Sequence, residues 1–210
     1  MKQILIVDDH AIVRKGMICI LAEIVPNAAF DEASLGSEAL VKTAAKRYDL
    51  VIMDISMPGM NGIETIQRMD SRTMPPILVM SVHPEDQYAI RAMRAGARGY
   101  LNKGVSLKEI AAAVTKLLNG DTYVTAQLGD LLCKELLRSN DTPASVPALS
   151  NREFEVARRI VEGKKPKSIA EEMCLSKQTV ATYRTRIMQK LHISSNAELA
   201  LYFTKNNLIG

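Results

Sequence analysis

Three aspartates, a serine and a lysine stand where apolar runs stop. Asp8 and Asp9 follow residues 3–7, Asp54 ends 50–54, Ser81 ends 77–81 and Lys103 ends 99–103. Carboxylates brought together repel and need a counter-cation. Oxygen-only ligands suit a hard divalent ion, and Mg²⁺ held by a few carboxylates, waters and a phosphate fits them best. A carboxylate is also a nucleophile in phosphoryl transfer, forming an aspartyl phosphate. The charge of the transferred group would be neutralised by the cation, the Lys103 ammonium and the Ser81 hydroxyl. In that chemistry Asp54 is the natural acceptor and Asp8 and Asp9 the natural metal holders. Taken singly, each residue has a plainer reading: a strand-end aspartate as a turn residue, Lys103 as a surface charge, Ser81 as a cap. The chemistry exists only if the fold brings them together.

The elements around them favour that. Residues 50–53 (Leu-Val-Ile-Met) show no alternation, as in a strand buried on both faces. Pro58, Gly59 and Gly62 mark the loop that follows. Residues 3–7, 28–33, 77–81 and 99–103 are further strand candidates. Between them lie helical patterns at 12–24 (Val13, Met17, Ile20, Leu21, Ile24), at 38–46 with Ser37 as cap, at 63–69, at 85–95, and at 107–118 with Ser106 as cap. Strand and helix alternate five times. That implies a doubly wound parallel sheet with helices on both faces. Right-handed crossovers put every strand end on one edge, where open α/β sheets hold their ligands. Asp8, Asp9, Asp54, Ser81 and Lys103 collect there.

The second part of the chain differs. Residues 127–137 are expected to form a connecting helix, and 139–147, with two prolines and small polar residues, have linker composition. Ser150 with Glu153 three residues on is a capping box. Helices are predicted from there to Val161, at 167–173, at 177–191 after a turn and cap at Leu175-Ser176, and at 196–204. The last helix offers Leu199, Tyr202 and Phe203 as apolar contacts, for the core or for a second copy. This is a compact four-helix unit. The reading divides the chain into 1–120, a joining segment 121–147 and 148–210.

The chain has 210 residues, is 47% hydrophobic and carries a net charge of +4. Residues 149–210 hold 11 basic and 6 acidic side chains, against 14 and 13 in residues 1–120. A polyanionic partner for the last third is therefore expected. No apolar run approaches a membrane span, and a strand pattern begins at once after Met1-Lys2. Cys19, Cys133 and Cys174 have no metal-like spacing and are expected to be buried small residues in a reduced, cytoplasmic protein.

Between Met173 and Ala197 there is no acidic residue, while Lys177, Arg184, Arg186 and Lys190 occur. In the helix at 177–191, Val180, Tyr183, Ile187 and Leu191 form one apolar stripe. The opposite side holds Gln178, Thr182, Thr185, Arg186 and Gln189, with Ala181 on its flank. Small side chains, hydrogen-bonding groups and positive charge suit a major-groove helix. On charge alone, a solvated basic face on a small bundle accounts for that side equally well.

Four separated motifs, Asp8-Asp9, Asp54-Ile-Ser-Met-Pro-Gly-Met-Asn-Gly62, Ser81 and Tyr100-Leu-Asn-Lys103, resemble the receiver domain of two-component response regulators. Leu149-Ser-Asn-Arg-Glu153, Gly163, Ile169-Ala170, Leu175-Ser176, Thr179-Val180 and Lys190-Leu191 resemble the LuxR-type helix-turn-helix. Together the chain resembles the NarL/FixJ family of transcription regulators. The fold then implied is a five-stranded flavodoxin-like receiver followed by a four-helix DNA-binding domain. By the resemblance, Asp54 takes a phosphoryl group from a sensor histidine kinase. Asp8, Asp9, Asp54 and the backbone carbonyl of Ser56 hold Mg²⁺. Lys103 and Ser81 bind the phosphate, and Tyr100 turns inward behind Ser81. Base contacts are implied at Ala181, Thr182 and Thr185, and phosphate contacts at Lys177, Thr179, Tyr183, Arg184, Arg186 and Lys190, with Val180 in the DNA-binding set. Gly104 departs from the family, many of whose members have a proline and a cis bond there. His83 either lines the site and affects dephosphorylation or is a neutral surface histidine.

The function this implies is a phosphorylation-activated transcription regulator whose receiver shift promotes dimerisation and promoter binding, with RNA polymerase as a further partner. It implies no enzyme activity beyond self-catalysed phosphorylation and dephosphorylation. A second reading is an Mg²⁺-dependent aspartyl-phosphate phosphatase or phosphotransferase with a basic accessory domain. Phosphatases of the haloacid dehalogenase type want a second aspartate two residues past the nucleophile, where this chain has Ser56.

Overall fold

The computed structural model describes residues 1–83, 85–138, 149–206 and 208, without the side chains of 86, 87, 135, 136 and 138. The linker predicted at 139–147 lies outside the described residues. The chain divides into two compact units, Met1–Gly129 and Asp130–Gly210.

The first unit is a five-stranded parallel sheet built from β1 (Gln3–Val7), β2 (Ala29–Ala33), β3 (Leu50–Met53), β4 (Ile77–Ser81) and β5 (Gly99–Asn102). The strand order is β2-β1-β3-β4-β5. Its helices are α1 (Ala11–Ile24), α2 (Gly36–Ala45), α3 (Gly62–Arg68), α4 (Glu85–Ala95) and α5 (Leu107–Leu118). The central strands are buried end to end, which explains why they carry no alternation. One face of the sheet presents Ile4, Ile6, Leu50, Ile52, Leu78, Met80 and Leu101 to Met17 and Leu21 of α1 and to Ile110, Ala113, Val114 and Leu117 of α5. Ser106 and Glu109 close a capping box on α5. Ser37, in contrast, lies inside α2 and caps nothing. The helix begins two residues earlier, at Gly36, and the Ser34 amide donates to Glu38 Oε2 at 2.8 Å.

The helix α6 (Ala126–Arg138) follows. In the second unit α7 (Asn151–Val161), α8 (Pro166–Glu172), α9 (Lys177–Leu191) and α10 (Asn196–Lys205) surround a core of Phe154, Ala157, Ile169, Val180, Ile187, Leu199 and Phe203. Phe154 and Phe203 stack with ring centroids 5.6 Å apart. Leu199 and Phe203 are therefore interior residues, and Leu201 is the exposed large apolar residue of α10. All three cysteines are exposed, against the expectation that they fill the core. Cys174 takes left-handed backbone geometry (φ +52°) in the turn between α8 and α9. No described helix is long and apolar enough to cross a membrane.

Candidate functional site

The predicted edge residues meet because the ladder runs one residue beyond each strand. The amide of Asp8 donates to Ala33 O, that of Asp54 to Val7 O, and that of Lys103 to Ser81 O, at 3.1, 2.8 and 2.7 Å. Asp8, Asp54, Ser81 and Lys103 thus sit at the carboxyl ends of four neighbouring strands, beside the β1/β3 junction where the strand order reverses. The loop after Asp54 folds tightly back. The Gly62 amide donates to Ile55 O at 3.0 Å, and Asn61 caps α3 by accepting from the Glu64 amide at 2.8 Å. A β-carbon at Gly62 would lie 2.0 Å from Asp54 O, so only glycine fits there.

Lys103 Nζ donates to Asp8 Oδ2 at 2.6 Å and lies 3.2 Å from Asp54 Oδ2. Both carboxylates are buried, with side chains 4% exposed. Burial pushes the Asp54 carboxyl above its ordinary pKa and Asp8 adds to the push, while Lys103 opposes it. Burial alone would lower the Lys103 pKa. The hydrogen bond to Asp8 and the charge of Asp54 outweigh it, so Lys103 is held above its ordinary value as an ammonium.

Asp9 Oδ1 is buried and accepts no hydrogen bond. It lies 2.9 Å from His10 Nδ1, which is 3.3 Å from Asp8 Oδ1, so Asp8, Asp9 and His10 group their ligand atoms. Two neighbouring carboxylates with their oxygens grouped in this way fit a bound hard cation. Neither residue type nor periodicity marks His10 in the sequence. Its one signal is its position directly after the paired aspartates.

The Ser81 hydroxyl accepts from the His83 amide at 3.1 Å, which leaves its O–H to donate. His83 lines the site. Its Nε2 is 2.8 Å from Ser56 Oγ and its ring stacks on Tyr88 at 4.6 Å. Tyr100 is fully buried, and its hydroxyl donates to His83 O at 2.8 Å. The described residues contain no cis peptide bond. At Gly104 the amide donates to Asn102 Oδ1 at 2.8 Å, a bond proline could not make.

In the second unit α8, a turn and α9 form a helix-turn-helix. The Leu175 amide donates to Ala170 O at 2.8 Å, closing the turn, and Ser176 caps α9 by accepting from the Thr179 amide at 3.0 Å. Val180, Ile187, Met188 and Leu191 bury one side of α9. Val180 is 2% exposed, so its side chain belongs to the core and not to the DNA-binding set. Lys177, Gln178, Ala181, Thr182, Thr185, Arg186 and Gln189 are exposed. Arg184 Nε donates to Asn196 Oδ1 at 3.0 Å, and Lys190 Nζ to the buried Glu153 Oε2 at 2.7 Å. Lys190, expected at a DNA phosphate, thus also ties α9 to α7.

Comparison with known proteins follows the same division. Residues 4–115 match the response regulator receiver domain family, and 147–203 the family of bacterial regulatory proteins of the luxR type. The response regulator GacA of Pseudomonas protegens is 38% identical over 212 residues, covering 100% of this chain and 98% of its own. The response regulator UvrY of Escherichia coli K12 is 34% identical over 200 residues, covering 95% and 92%. The crystal structure of the response regulator ChrA of a heme-sensing two-component system matches with a TM-score of 0.52 at 27% identity, covering 99% of this chain and 98% of that one. The chain belongs to the response regulators with a LuxR-type helix-turn-helix, the NarL/FixJ family of phosphorylation-activated, DNA-binding transcription regulators.

Proposed function

We propose that Asp54 is the phosphoryl acceptor of this regulator and that α9 is its DNA-reading helix. The observation that carries the first part is the Lys103 ammonium set between two buried carboxylates at the sheet edge. Asp54 attacks the phosphorus of a phosphohistidine on a sensor kinase. The P–N bond breaks, and the imidazole departs as the proton acceptor. Lys103 moves its charge onto the phosphoryl oxygens, and the free O–H of Ser81 donates to one of them. Asp8, Asp9, Asp54 and the Ser56 carbonyl would hold Mg²⁺, which supplies charge neutralisation at the phosphoryl group. Tyr100, bonded to the same loop that orients Ser81, is the residue that senses the change. The assigned parts are a receiver at 1–120, a joining segment at 121–147 and a DNA-binding domain at 148–210. Phosphorylation favours a homodimer on promoter DNA in the cytoplasm, with RNA polymerase as the next partner.

Incubation with acetyl phosphate and Mg²⁺ should yield one hydroxylamine-labile phosphoryl group per chain, absent after chelation. Multiple turnover of a small phosphate ester would instead support the phosphatase reading.

On α9, Lys177, Thr179, Tyr183, Arg184 and Arg186 flank the reading surface and reach phosphates. Arg186→Ala should weaken binding uniformly across sequences and lower the slope of log affinity against log salt by about one. An unchanged slope removes Arg186 from the interface.

A further inference from the structure

Two threonines on the exposed side of α9 have their hydroxyls turned back onto their own helix. Thr182 Oγ1 donates to Gln178 O at 3.0 Å and Thr185 Oγ1 donates to Ala181 O at 3.1 Å. A threonine hydroxyl has a single hydrogen, and in both residues it is committed to the backbone. What each threonine can offer outward is a methyl group and oxygen lone pairs, not a donor. Ala181, on the same side and exposed, offers only a methyl.

The commonest guanine readers, arginine and lysine, stand at the margins of that side and not at its centre. At 100° per residue, Gln178, Ala181, Thr182, Thr185 and Gln189 share about 100° of arc, with Arg186 about 40° beyond one edge and Lys177 about 40° beyond the other. Arg184 is bonded to Asn196 and Lys190 to Glu153, both away from that sector. A guanine is read best by an arginine or lysine donating to O6 and N7, whereas methyl groups meet the thymine C5-methyl and glutamine pairs bidentately with adenine. The sector holds three methyls, two glutamines and no cation.

We infer that α9 discriminates its operator through thymine methyl groups, met by Ala181, Thr182 and Thr185, so that the core of each half-site is A·T. This rests on α9 being the DNA-reading helix, and it names the ligand chemistry of that surface. A thymine is distinguished from a cytosine here by its methyl, not by a donor to its O4.

The test uses the full-length chain with acetyl phosphate and Mg²⁺. Duplexes are selected from a random library, and each thymine of the selected half-site is replaced in turn by deoxyuridine, which removes the methyl and keeps every hydrogen-bonding group. Binding should weaken about three- to fourfold at each thymine read this way, the value of one buried methyl. Thr182→Ser or Thr185→Ser, which keeps the hydroxyl and drops the methyl, should erase the thymine-over-uracil preference at one position. Thr185→Val, which keeps a methyl and drops the hydroxyl, should retain the preference whatever happens to overall affinity. Full affinity for the uracil duplexes, or a half-site core read only at G·C pairs, overturns the inference while leaving α9 as the DNA-reading helix. Binding without any sequence selection overturns that assignment and this inference together.

Discussion

Asp54→Asn is expected to leave DNA binding unresponsive to acetyl phosphate while making the unphosphorylated chain more stable at neutral pH. The amide has the shape of the carboxylate but cannot form an acyl phosphate, so the input is lost and the fold is kept. The gain in stability follows from burial. Asp54 is 4% exposed, its carboxyl is held above the ordinary value of 3.8 by desolvation, and Asp8 adds like-charge repulsion. The folded chain therefore binds that proton more tightly than the unfolded chain does. Ionised Asp54 costs stability above its folded pKa, and the cost is relieved as pH falls through it. Asparagine removes the cost, and Lys103 keeps its 2.6 Å bond to Asp8. A gain in melting temperature should appear at pH 7 and shrink toward acid. Melting curves at several pH values and a binding assay with and without acetyl phosphate check both halves. A variant that still responds to acetyl phosphate would place the phosphoryl acceptor elsewhere.

The edge of the sheet was legible because two rules act together. Strands buried on both faces show as uninterrupted apolar runs, and parallel crossovers oblige their ends to share an edge. Asp8, Asp54, Ser81 and Lys103 could thus be grouped without any distance in hand. The helix caps at Ser106 and Ser150 were legible for a local reason, since a capping box needs only residues three apart. What escaped depended on tertiary surroundings. Ser37 has the cap residue type, but Glu38 reaches back to the Ser34 amide and α2 starts sooner. The usual preference of cysteine predicts an interior position, yet Cys19 lies on the outer side of α1 and Cys174 occupies a turn. Leu199 and Phe203 could not be told from surface contacts, because which face of α10 meets α7 is a matter of packing rather than period. The role of His83 depended on the ring of Tyr88 and the hydroxyl of Ser56, neither of which periodicity links to it.

The second large effect is expected at Glu153, where a cap signal readable from sequence also serves α9. Its carboxylate accepts from the Ser150 amide and from Lys190 of α9, both at 2.7 Å. Burial would raise its pKa, but the bonds from Lys190 and Ser150 outweigh that and hold it below the ordinary 4.5. Glu153→Ala removes the reciprocal half of the capping box, leaves the Ser150 amide without its partner and frees Lys190, while the Ser150 hydroxyl still accepts from the backbone amide at 153. Together these should cost roughly 2–3 kcal/mol of second-unit stability. Amide exchange in α7 and α9 should then rise by about 30- to 150-fold, with α1 and α5 unaffected. Glu153→Gln keeps a capping-box side chain and loses only the charge, so it should cost about 1 kcal/mol. The pH dependence separates the two roles. A carboxylate with a depressed folded pKa contributes its full stability above 4.5 and loses it as pH falls through the folded value. The gap between the parent and Glu153→Gln should therefore close below pH 4.5, whereas the gap to Glu153→Ala should persist in part, because a protonated carboxyl can still accept from the Ser150 amide. If both variants exchange at the parental rate at pH 7, the Glu153–Lys190 contact does not hold α9 against α7.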